Sequence, residues 1–168
     1  MHLHDEILLK GLFDYKVFRG NKLVQKGVGH NSVVRTGRHA MLECFLRQQN
    51  APTRWYAGIY TGTYVTNDAE TAGSIASATS EFTSYDGDRA AWFPQPGLDD
   101  PISSNSETPA VYSITTPATL KGAFLIDSYD KGGANGLLFS VANFDTPADV
   151  VAEDIFLLYY TVLLSVAV

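Results

Sequence analysis

Apolar and polar residues alternate through Phe13, Asp14, Tyr15, Lys16 and Val17, the period of a strand with one buried face. The alternation stops at Gly20-Asn21, a pair suited to the positive φ angles of a two-residue hairpin loop, and apolar residues resume at Leu23 and Val24. This predicts a β-hairpin over residues 12–28, ended by Gly27, Gly29 and Asn31-Ser32. The period then becomes helical over 36–49. Thr36 can cap the first turn, and Arg47 suits the negative end of the helix dipole. Asn50 and Pro52 stop the run. Ala40, Met41, Leu42, Cys44, Phe45 and Leu46 make a broad apolar stripe, expected to face the core, with Cys44 a small hydrophobe within it.

Trp55–Tyr60 is a strand by residue type, and Gly58 within it suggests a close backbone approach. Residues 61–80 are mostly Thr, Ala, Gly and Ser, with Val65 and Ile75 the only large aliphatics, and read as an extended surface loop open to neighbours. Asp86-Gly87-Asp88 is a turn signal, and 94–106 is a proline- and serine-rich loop. Further strands are expected at 111–114, 118–126 and 137–144, the last broken by Thr146-Pro147, with a glycine-rich loop at 131–136. The final strand, 155–166, is expected to be the most buried. Six to eight short strands with one early helix, and no repeated strand–helix alternation, predict a mainly β protein: an antiparallel, jelly-roll-like β-sandwich. Residues 1–30 are expected to form an N-terminal hairpin arm and 31–168 a single sandwich domain.

A chain of 168 residues with 45% apolar composition can bury one core, and its charged share of 18% is low. The charge is unevenly placed. Residues 1–54 hold nine Lys and Arg against four acids, a balance of +5; residues 55–168 hold three against fourteen, a balance of −11. The hairpin cations Lys16, Arg19, Lys22 and Lys26 are therefore candidate interface residues. They either dock on an acidic neighbour or form a solvated face; direct nucleic-acid contact is not expected of a chain with net charge −6. The first six residues lack the basic and apolar segments of a signal peptide. The apolar run 155–168 is shorter than the ~20 residues of a membrane helix, so no membrane partner is expected. Cys44, the only cysteine, rules out an intrachain disulfide and fits a reducing cytoplasm.

Catalytic signatures are missing from the sequence. His2 and His4 sit at the terminus, and His39 has Glu43 where a zinc helix would place a second histidine. No nucleophile elbow, phosphate loop or dinucleotide fingerprint occurs. The carboxylate pairs Asp86/Asp88, Asp99/Asp100, Asp127/Asp130 and Glu153/Asp154 fall in or beside predicted turns, where Asp bonds its own backbone. The expectation is a non-enzyme without cofactor or metal. Tyr and Trp anchor interfaces and stack on sugars, so Trp55, Tyr56, Tyr60 and Tyr64 join the candidate interface set, with a carbohydrate platform as the alternative.

Several segments taken in order carry a resemblance. They are Arg35 to Leu42 at the helix start, Trp55 to Gly62, Glu81 to Tyr85, Arg89 to Pro94, Lys121 to Ser128, and Lys131 to Leu138 before the closing strand. Over about 30–168 this pattern of strands and glycines resembles small structural proteins of tailed-bacteriophage virions. The resemblance implies a β-sandwich or jelly-roll module made in the host cytoplasm and residing on the capsid surface. There it would act as a decoration (cement) protein that bridges major capsid protein subunits as a homo-oligomer. A head–tail adaptor, tail or fibre-attachment protein is the alternative within the same class.

Overall fold

The computed structural model describes residues 6–49, 51–65, 67–96 and 101–167. Among them are ten strands and two helices. In chain order these are β1 (Glu6–Arg19), β2 (Lys22–Val33), α1 (Arg35–Leu46), β3 (Trp55–Tyr60), α2 (Ala72–Thr79), β4 (Ala90–Trp92), β5 (Gln95–Pro96), β6 (Ile102–Ser104), β7 (Ala110–Ser113), β8 (Ala118–Ile126), β9 (Leu138–Val150) and β10 (Ile155–Ala167). They form an antiparallel sandwich. One sheet runs β2-β1-β10-β6-β5 with β7 also on β10, and the other runs β4-β3-β8-β9. β2 joins the two where Ser32 and Val33 pair with Val141 and Ser140.

The hairpin forms where the sequence places it, with Gly20 at φ +57° in its turn. It is not an arm. β1 pairs with β10 along its whole length, from Glu6 opposite Ala167 to Phe18 opposite Ile155. Its alternate side chains Phe13, Tyr15 and Val17 are fully buried between the sheets. Tyr15 stacks on Phe156 at 5.5 Å, and Phe13 lies 4.3 Å from Tyr160. A strand with that inner face cannot leave the body without exposing it to water, so residues 6–30 are not a separable arm. β10 is central but not the most buried strand: Phe156, Leu158 and Tyr160 point inward, while Leu157, Tyr159 and Thr161 stay half-exposed on the outer face.

A second apolar cluster covers the other face of the β3-β8-β9 sheet: Tyr60, Phe124, Ile126 and Val141 pack there with Ala72 and Ile75 of α2. The 61–80 stretch is thus part of the body, not an excursion. Thr71 and Ser74 close a reciprocal capping box that starts α2. Gly58 lies under the Phe124 ring, where a Cβ would collide with it, which is the close approach the sequence suggests. β9 continues through Pro147 instead of breaking. The register against β8 slips between Leu120 and Gly122, so Pro147 falls in a bulge and owes no ladder N–H. Its carbonyl accepts from Gln25 Nε2 at 2.8 Å.

Candidate interaction surface

The eight interface candidates separate. Tyr60 and Tyr64 are core. The Tyr60 hydroxyl lies 2.7 Å from the Ala142 carbonyl and 2.8 Å from Asn143 Oδ1, and burial pushes both phenols up, that of Tyr64 to about 12. They offer nothing to a partner or a sugar, so the aromatic run is no platform. Trp55 is half-buried against Phe139 at 5.3 Å, and Tyr56 lies 6.2 Å from Tyr129. Arg19 donates twice, at 2.9 Å each, to Asp154, and that guanidinium holds the Asp154 carboxyl below its ordinary range. Lys16 and Lys26 are register partners on the outer face of the β1-β2 sheet. They border a shallow hollow that also holds Asp14 and Asp145, so the charge there is mixed in sign. Lys22 is exposed at the hairpin turn.

The surface that stands out is on α1. The helix is fixed tightly at its start. Val34 N donates to Phe139 O (3.1 Å), Arg35 N to Asp68 O (2.9 Å), and the Thr36 hydroxyl to Leu138 O (2.8 Å). Thr36 thus ties α1 to β9 instead of capping it; the N-cap position is Val34, without a side-chain bond. Arg38 forks onto Asp68 at 2.7 and 3.0 Å and lowers that carboxyl. Gly37 rests on the Phe139 backbone, where any Cβ would collide. Gly37 and Ala40 are the buried residues of α1, so a seam of small side chains brings the helix backbone close to the sheet.

The large side chains of the stripe consequently point away. Met41 is 37% exposed, Leu42 58%, Leu46 69% and Phe45 83%. At spacing i, i+1, i+4 and i+5 these four share one flank of the helix. The stripe was expected to be core, but it is too wide for one helix to bury, and its smallest members take the inner side. Beside the flank a groove of about 330 Å³ opens between α1 and the end of the sandwich. Met41, Cys44, Pro52, Trp55, Trp92, Phe139 and Val162 are among the residues lining it. Trp92 in its wall is anchored, its Nε1 donating to Tyr160 O at 3.2 Å. Phe93, 48% exposed, continues the apolar surface under the Arg54 guanidinium at 5.2 Å. Cys44 is half-buried in the groove wall.

The remaining polar features are structural in geometry. The Arg89–Glu81 pair is almost completely buried, doubly bonded at 2.8 and 2.7 Å. Arg89 also donates to the Ser128 and Gly133 carbonyls, pinning the glycine-rich loop. Asp127 accepts from Leu137 N at 2.6 Å, so it ties together the two ends of the glycine-rich loop instead of bonding its own turn. His39 is exposed near Glu43, and His30 is exposed on β2. Among the described residues no group of three or more His, Cys, Asp or Glu is placed to hold a metal ion, and no helix is long and apolar enough to cross a membrane. His2, His4, Asp99 and Asp100 lie outside the described residues. Compared with protein families, curated proteins and solved structures, the chain matches none.

Proposed function

We propose that this chain is a non-enzymatic structural subunit that works by holding neighbouring subunits of a particle together through the α1 face. The observation that carries the reading is the solvent-facing flank of Met41, Leu42, Phe45 and Leu46 beside an apolar groove. Contiguous apolar surface of this kind marks an interaction site on a soluble domain. The particle we favour is a tailed-phage virion, with the chain as a capsid decoration protein on the major capsid protein; a head–tail adaptor or tail component is the second form of the same reading. The sequence resemblance supports this choice, and so does a body whose stability comes from packed aromatics without a disulfide. The test is mass spectrometry of purified virions, with copies per particle. Many copies spread over the shell support decoration, and a few at one vertex support the adaptor. Absence from particles overturns both.

A further inference from the structure

We propose that the occupant of the α1 face is a second copy of this chain, paired across a two-fold axis so that Phe45 of each copy enters the other's groove. The pairing rests on the assembly reading above and names the partner of the same surface. A two-fold contact requires a patch that complements itself. Here the knob and the hole are neighbours on one face: Phe45, 83% exposed, lies on the flank one helical turn from Met41, which lines the groove. The two-fold that brings one knob to one groove brings the other pair together as well.

Area supports the same occupant. A large side chain contributes on the order of 150–200 Å² when fully buried, so the four flank residues at their exposures offer roughly 400 Å² per copy. Covering the groove walls and Phe93 raises this to about 600 Å² per copy, or about 1,200 Å² in all, the lower end of specific interfaces. Such a contact is reversible on its own and is strengthened by avidity when many copies are arrayed. The charges favour an identical partner over an acidic one. Arg38 is already forked onto Asp68, and Arg47 lies 3.0 Å from Glu43 on the same helix. Two cations beside the patch are therefore neutralised from within, and Arg54, over Phe93, must stay at the solvated rim of the pairing.

Sedimentation equilibrium of the full chain, from about 1 to 500 µM, tests the proposal. The wild type is expected to dimerise with a micromolar Kd, and the affinity should hold or tighten between about 50 and 500 mM salt. Phe45→Glu, altering an exposed side chain, should keep the circular dichroism and melting temperature while weakening the dimer by at least about 100-fold, since each contact is struck twice. Leu42→Glu should act in the same direction, and Cys44 should react with a maleimide more slowly in the wild-type dimer than in either variant. A wild type that stays monomeric overturns the pairing. So does a dimer indifferent to both substitutions, or one that weakens steeply with salt, as docking on an acidic surface would. A monomeric chain that still occupies particles overturns only the pairing; a dimer absent from particles overturns only the virion role.

Discussion

Raising the pH should unfold this protein through its tyrosines. Tyr60, Tyr64, Tyr85, Tyr112 and Tyr160 are each at most 6% exposed, and burial, the leading cause in every case, raises each phenol above its ordinary value. The sign follows from proton counting. In the unfolded chain these phenols ionise near pH 10, while in the folded chain they stay protonated. Above pH 10 the unfolded state therefore binds fewer protons, and stability falls as pH rises. Each phenol that ionises only on unfolding costs about 0.8 kcal/mol at pH 10.5 and about 1.4 kcal/mol at pH 11. Five together cost about 4 and then about 7 kcal/mol, which reaches the whole stability of an ordinary domain. The expected outcome is cooperative unfolding with a midpoint between about pH 10.5 and 11.5. Tyrosinate absorbance followed alongside far-ultraviolet circular dichroism should show a jump that coincides with loss of structure. Ionisation of all nine tyrosines near pH 10 with the dichroism intact would refute the reasoning. Two variants sharpen it. The Tyr85 hydroxyl is buried without a partner among the described residues, so Tyr85→Phe should be neutral or stabilising at pH 7 and move the alkaline midpoint up. Tyr60→Phe removes the donor to Ala142 and Asn143 and should cost about 1–2 kcal/mol at pH 7.

The buried ion pair and the α1 seam give two further tests. Arg89→Met leaves Glu81 charged and buried, so it should cost about 3–5 kcal/mol in chemical denaturation. It should also release the loop it pins, read as faster tryptic cleavage after Lys131. Unchanged cleavage would mean that the loop is held by other contacts. Gly37→Ala forces α1 off the Phe139 backbone and should cost about 1–3 kcal/mol while speeding thiol labelling of Cys44; a variant as stable as the wild type would show that the seam is not tight.

What was legible in the sequence was the local chemistry of strands and turns. Alternation at 13–17 and the Gly20-Asn21 loop announced the hairpin, and Gly58 announced a close approach, because each depends on neighbours in the chain. What escaped depends on partners distant in sequence. Nothing near β1 says that its other edge belongs to β10. The α2 helix mixes Ala, a strong helix former, with Gly, Ser and Thr, which favour turns and caps, and has one large apolar residue, so no amphipathic period announces it; it is held in place because Ala72, Ile75 and Thr79 are covered by the body. Pro147 breaks a strand only where its neighbour needs an N–H, and the register slip removes that need. The α1 stripe misled for an instructive reason. Periodicity reports which residues share a side, not whether the small or the large ones meet the body. Gly37 followed by Ala40 at helical spacing was the available signal, since small residues are what let a helix lie close against a sheet.

The zipper between β1 and β10 has a consequence for biosynthesis. Glu6–Arg19 is made well before its main partner Ile155–Ala167, which follows more than a hundred residues later. Until then β1 has only β2 as a ladder partner, and its other edge stays open in the cell. Closing so distant a pair is slow, because loop entropy is spent before the contact rewards it. The nascent chain thus passes through a stage with an exposed ribbon. Production at lower temperature or with abundant chaperones should raise the soluble yield more than any surface substitution would.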